Sequence, residues 1–260
     1  MDRTALVEAE VATAGSSAPL RLACLGDSIT RAQFSADYLD LLRRRRPGQL
    51  HVARFGVNGD FAANLRQRLG PVLADPADVV TVLIGTNDAR ASLPGYPVDK
   101  AMKRKRLTQP PSAAWFQDCL LAVVGRLTKE TDARIGVLSL PVLGQDLDGP
   151  AVEASTTYSR IFAEVAAATG VAYLPLHERQ LAHLRQAGAP PIPYREATPA
   201  AVVATLVERA VLRRSLDAIA RRRGLVLTTD HVHQNSLGAG FVADVIEESG
   251  LLTRHGHVAR

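Results

Sequence analysis

The chain is poor in the features that mark a disulfide scaffold, a membrane span or a nucleic-acid platform. Its 260 residues include two cysteines, two methionines, one tryptophan and 5% aromatics. Cys24 falls in a short apolar run and Cys119 in a helical pattern, so free buried thiols are expected instead of a disulfide framework. No apolar run approaches the roughly 20 residues that a membrane span requires. Residues 1–20 hold acids and small side chains without the apolar segment of a secretory signal, which makes the cytoplasm the expected compartment. The few aromatics do not alternate with the basic runs, so no nucleic-acid partner is expected. A P-loop and a G-x-G-x-x-G fingerprint are both missing, and with them any sign of a nucleotide cofactor. His255 and His257 would be two metal ligands without a third, and no metal is expected. The G-x-S-x-G elbow of α/β-hydrolases is missing as well.

What remains is an ordinary globular composition, 47% apolar and 22% charged, in a length suited to one large α/β domain. Neither an internal repeat nor a linker divides residues 1–260, which read as a single domain. Short apolar runs at 20–25, 50–55, 79–84, 134–140 and 171–174 read as strands. Helical patterns fall between them: one that Ser35 can cap, one from Ser112 with a stripe running from Trp115 to Leu127, and one from Pro150 to Gly170. Residues 91–111, with four prolines, read as a long loop. Five alternations of strand and helix imply a central five-stranded parallel sheet covered on both faces. Residues 188–223 begin in a proline-rich loop, turn helical at Thr198-Pro199, and read as a helical insertion.

The net charge is +5, with basic clusters at Arg43 to Arg46, Lys103 to Arg106, Arg213-Arg214 and Arg221 to Arg223. The first cluster closes a helix, where the macrodipole favours cations. The last two flank an apolar stripe that shifts along its helix. That shift suggests a cover over a site, with Arg213, Arg214 and Arg221 to Arg223 rimming an opening that favours anionic substrates.

Three polar turns follow three successive strands: Gly26-Asp27-Ser28-Ile29-Thr30, Asn58-Gly59-Asp60 and Gly85-Thr86-Asn87-Asp88. In an open parallel sheet such turns gather along the carboxyl edge, where ligands bind. A late Asp230-His231-Val232-His233 places an acid and a base three residues apart, close enough for Asp230 to orient the His233 imidazole. Acyl transfer by a serine needs those groups: Ser28 as nucleophile, His233 as base and Asp230 to fix the tautomer. The oxyanion donors would be the N–H of Ser28, the N–H of Gly59 and the Asn87 amide. His231 adjoins Asp230 and points elsewhere, while His177 and His183, with no carboxylate at matching spacing, read as surface residues.

These four blocks resemble those of the SGNH, or GDSL-type, hydrolases, and they span nearly the whole chain. The resemblance implies a flavodoxin-like three-layer α/β/α fold and the same serine, glycine, asparagine and histidine roles. One departure is Arg54, which stands where family members often carry asparagine. The resulting expectation is a cofactor-free esterase acting on a small-molecule or lipid ester through an acyl-enzyme. Acyl transfer to another alcohol and a non-catalytic binding module on the same fold are the alternatives.

Overall fold

The strand that anchors the sheet is β3, Val79–Leu83, buried along its whole length. Four of its five residues are β-branched, which suits a strand covered on both faces. Around it run β1 (Leu20–Gly26), β2 (Leu50–Gly56), β4 (Arg134–Leu138) and β5 (Ala172–Leu174), in the order β2-β1-β3-β4-β5 with every pair parallel. This is the flavodoxin-like order, whose switch point lies between β1 and β3. The structure is a computed structural model and describes residues 18–196, Thr205, Glu208 and residues 213–253.

Helices fill the connections. After β1 come α1 (Ser28–Arg31) and α2 (Tyr38–Arg45), and after β2 come α3 (Ala62–Gln67) and the single turn α4 (Gly70–Leu73). After β3 come α5 (Thr86–Ala91), α6 (Val98–Lys105) and α7 (Ala113–Glu130). The helix α8 (Pro150–Thr169) joins β4 to β5, and α9 (Leu176–Gln186), α10 (Leu216–Arg222) and α11 (Ser236–Glu248) follow.

Strand side chains alternate between the two faces. Leu22, Cys24, Val79 and Leu83 pack with Tyr38, Leu42, Val242 and Ile246 of α2 and α11. Ala23, Leu25, Val80 and Val82 pack with Leu65, Leu120, Val124 and Phe162 of α3, α7 and α8. Phe116 meets Tyr158 and Phe162 at 5.0 and 5.5 Å between ring centres. Burying each such side chain contributes about 1.5–3 kcal/mol, so this cluster holds α7 to α8. The arginines ending α2 reach across to α11: Arg45 bonds Asp244 and Glu247 at 2.7 Å, and Arg46 bonds Glu247 at 3.2 Å. Both cysteines are free and buried, and burial pushes the Cys24 thiol up to about 12. Among the described residues no helix is long and apolar enough to cross a membrane.

Several expectations need correction. The cap of α2 is Asp37, whose Oδ1 accepts from the N–H groups of Leu39 and Asp40, while Ser35 is buried and accepts from the N–H of Gln234 at 3.1 Å. Residues 91–111 are not all loop, because α6 forms between the prolines with only Ala101 buried on it. An apolar count finds no stripe in so short a helix. His177 is not a surface residue: it is 2% exposed, its Nε2 lies 3.0 Å from Thr156 Oγ1, and burial lowers its pKa. Within 188–223, residues 197–204, 206, 207 and 209–212 lie outside the described residues, as do His255 and His257. Among the described residues, none of the arginines of that stretch lines the cleft that holds Ser28, and Arg221 lines a separate pocket beside Leu225 and Asn235. Arg214, Arg222 and Arg223 converge on Glu208, and Arg223 also donates to Thr229 O at 2.7 Å.

Candidate active site

The carboxyl ends of β1, β2 and β3 deliver their three turns to one cleft of about 690 Å³. It is lined by Ser28, Gly59, Asn87, Asp230 and His233 together, so the structure gathers every predicted site residue. Ser28 is the first residue of α1, directly after the cap Asp27. At that position a backbone N–H has no partner within the helix, which leaves the Ser28 N–H open to a cleft ligand. Gly26 permits the tight step from strand to helix, since a Cβ there would lie 2.2 Å from Thr30 Oγ1 and 2.4 Å from Leu83 O.

Ser28 Oγ lies 3.1 Å from His233 Nε2, and His233 Nδ1 lies 2.7 Å from Asp230 Oδ2. The other Asp230 oxygen accepts from the N–H groups of His233 at 2.8 Å and Val232 at 3.2 Å. Burial opposes the Asp230 charge, but His233 and these hydrogen bonds outweigh it and bring the carboxyl down to about 2. An ionised Asp230 can only accept, so Nδ1 carries the proton and Nε2 presents its lone pair to Ser28. The contact does not arise from a helical turn. His231 sits at φ +71°, and this left-handed residue folds the loop so that Asp230 and His233 meet. His231 itself turns away to meet the Tyr194 ring at 5.7 Å. Phe34 packs against the His233 imidazole at 5.4 Å between ring centres.

Gly59 adopts φ +71°, a conformation that favours glycine, in the turn after β2. That turn is held from below by Asp60, which accepts from Lys105 Nζ at 2.8 Å and Arg68 Nε at 2.7 Å. Arg68 also donates to Gly26 O at 2.8 Å and Phe55 O at 3.0 Å, tying the ends of β1 and β2 together. Arg54 supports α1: it donates to Thr30 O at 2.8 Å and Arg31 O at 3.1 Å and ion-pairs with Asp37. The departure from asparagine therefore caps the helix carrying Ser28.

Asn87 lies in the first turn of α5, with Nδ2 donating to Asp60 O at 3.0 Å and Oδ1 accepting from Arg90 Nη1 at 2.9 Å. Arginine only donates and a carbonyl only accepts, so these neighbours fix which way the amide faces. The second Nδ2 hydrogen remains for the cleft. Arg90 is itself held by an ion pair with Glu196, which also accepts from Tyr194 Oη at 2.7 Å, and by the Tyr96 ring at 5.4 Å. Arg90, Glu196, Phe34, Arg68 and Lys105 were not predicted. Lys105 stands in the basic cluster Lys103 to Arg106, and Arg90 stands three residues after Asn87 on the same helical face; the other three left no local trace.

Two buried acids lie behind the serine. Asp27 Oδ1 accepts from the Ile29 N–H at 3.0 Å, while Oδ2 has no hydrogen-bond partner, though the Thr86 hydroxyl lies close. Burial pushes Asp27 up to about 6. Asp88 Oδ2 accepts from the Ala62 N–H at 3.1 Å, and burial, with Asp27 nearby, pushes Asp88 up to about 7. Among the described residues no group of three or more His, Cys, Asp or Glu side chains is arranged to hold a metal ion.

The model of the GDSL-like Lipase/Acylhydrolase family matches residues 24–238. No curated protein matches the chain in sequence. Among solved structures, the fold is similar to that of the acetyl xylan esterase AlAXEase, with a TM-score of 0.65, 20% identity, and 88% of this chain and 99% of that one covered. It is also similar to Axe2, an acetylxylan esterase from Geobacillus stearothermophilus, with a TM-score of 0.62, 17% identity, and coverage of 93% and 97%. The lipase/acylhydrolase from Enterococcus faecalis follows, with a TM-score of 0.57, 18% identity, and coverage of 89% and 95%. The match over most of its length shows that this chain belongs to the GDSL-like lipase/acylhydrolase family, the SGNH-type ester hydrolases.

Proposed function

We propose that the chain hydrolyses small carboxylic esters through an acyl-enzyme formed on Ser28. The observation that carries this reading is the unbroken run from Ser28 Oγ through His233 to Asp230, at 3.1 and 2.7 Å. His233 Nε2 takes the Ser28 proton as Oγ adds to the ester carbonyl, and Asp230 stabilises the imidazolium that forms. The carbonyl oxygen becomes an oxyanion, received by the N–H groups of Ser28 and Gly59 and by Asn87 Nδ2. Collapse of the tetrahedral intermediate breaks the bond to the alcohol oxygen, which takes the proton from His233. Water then attacks the acyl carbon with His233 again as base, releasing the acid and restoring Ser28.

The cleft is of a size that holds a small to medium ligand. Phe34, Tyr96, Pro97 and Ala101 supply apolar contacts, and Glu196 and Thr205 bring residues 188–223 to its border. Acetyl esters head the substrate series because the fold is shared with acetyl xylan esterases. A chain-length series of p-nitrophenyl esters, followed on the millisecond scale, tests the reading. We expect a burst of p-nitrophenol close to one equivalent of enzyme before steady turnover, abolished in Ser28→Ala. Turnover that survives in Ser28→Ala would overturn it.

A further inference from the structure

The cleft is also unevenly charged, with four cations and two carboxylates among its lining residues. Two carboxylates line it, and both are taken: Asp230 by His233 and Glu196 by Arg90. Of the four cations lining it, Arg90 is neutralised by Glu196 and Lys105 by Asp60. Lys100 and Arg104 are left, both exposed, with no ion pair among the described residues. Thr205 lines the cleft, and the one acid in the sequence of residues 197–212, Glu208, faces Arg214, Arg222 and Arg223.

Local structure gives no reason for these two charges. Lys100 and Arg104 are four residues apart on α6, so they share one face, and like charges at that spacing destabilise a helix. Lys100 lies in the first turn, where the macrodipole disfavours a cation. Arg104 suits the last turn of α6, yet its guanidinium reaches back over the site. A Cβ built on Gly59 would lie 3.3 Å from Arg104 Nη2. A cation with no ion pair among the described residues, four residues from a second, and beside Gly59 is arranged to meet a ligand's charge.

We infer that Lys100 and Arg104 form a subsite for an anionic group, a carboxylate or phosphate, carried by the ester substrate beyond the reacting carbonyl. This rests on the esterase reading and gives it a substrate class. The charge preference suggested by the sequence thus moves from the arginines around 213–223 to α6.

Two ester pairs test it. One is 4-acetoxybenzoate and its methyl ester, with the charge on the alcohol side. The other is the phenyl ester of adipic acid and its methyl diester, with the charge on the acyl side. Each enzymatic kcat/KM is divided by the hydroxide-catalysed rate of the same ester. At low salt we expect the anionic member of at least one pair to be favoured on the order of tenfold, the scale of two cations acting through mostly aqueous surroundings. The preference should fade towards 0.5 M salt as screening shortens its range. It should fall to about one in the double variant Lys100→Gln, Arg104→Gln, which rests on the ratio and not on the absolute rate. In Lys100→Glu, Arg104→Glu the order should reverse, towards 4-acetoxyphenyl-trimethylammonium over a neutral isostere. Equal treatment of both members in both pairs at low salt overturns the subsite while leaving the esterase reading intact. So does a preference that survives the charge reversal. Absence of Ser28-dependent turnover of every ester overturns both.

Discussion

The guanidinium of Arg90 donates to the side-chain oxygen of Asn87 at 2.9 Å, while the nitrogen of the same amide donates to Asp60 O at 3.0 Å. A charge-assisted bond at Oδ1 draws density from the amide and makes its remaining N–H a stronger donor. Asn87→Ala should therefore lose on the order of 10²–10³ in kcat with KM little changed, because the oxyanion exists only beyond the ground state. Arg90→Gln should lose a smaller part of kcat, on the order of tenfold, with Arg90→Lys between the two. Steady-state kinetics on an acetyl ester read this directly. A rise in KM at constant kcat would make Asn87 a substrate-binding residue instead.

Asp230 and the two neighbouring histidines give a ranking. Asp230 stays ionised down to about pH 2, so it holds the Nδ1–H tautomer throughout the working range. Asp230→Asn should drop kcat by on the order of 10²–10⁴, and His233→Ala by at least as much. His231→Ala should keep activity within about tenfold, since the His231 ring faces Tyr194 and not Ser28. His231→Gly should retain at least as much, because φ +71° suits glycine better than alanine. An inactive His231→Gly beside an active His233→Ala would reverse the assignment.

Stability should carry the mark of Asp27 and Asp88. Burial raises both carboxyls, to about 6 and about 7, above the roughly 3.9 of an unfolded chain. Each is neutral in both states at acid pH. Between about pH 4 and 7 the unfolded chain releases protons that the fold still holds, so stability falls as pH rises through that window. For Asp27 the cost at neutral pH is on the order of 3 kcal/mol. Asp27→Asn keeps the acceptor that caps α1 and removes the ionisation, so its melting temperature should fall less between pH 5 and 8 than that of the parent chain. Parallel pH dependences for the two would exclude Asp27 as a source of the slope.

The strands were legible because each is a short, mostly apolar run bounded by turn residues, β3 most clearly, with four β-branched residues in five. The candidate positions Ser28, Gly59 and Asn87 followed from strand order: a polar turn after a parallel strand lies at the carboxyl edge of the sheet, and three such turns converge. What supports those positions was less visible. Arg68 and Lys105 act through contacts with main-chain atoms and Asp60 that no local pattern encodes. The helix α6 was hidden between prolines and carries almost no buried surface, and with it went the placement of three of the four cations that line the cleft. His177 shows the opposite failure. Nothing at its own spacing marks it as buried, and only the packing of Thr156 and Ser139 against the start of α9 places it in the interior.

The central claim is that Ser28 carries the acyl group, and covalent labelling tests it most directly. The protein is treated with a fluorophosphonate, digested, and mapped by peptide mass spectrometry, alongside His233→Ala. The account predicts one equivalent of label, on the peptide and residue of Ser28, rising in step with loss of esterase activity and strongly slowed in His233→Ala. Full inactivation with Ser28 unmodified and the label on another residue would contradict it.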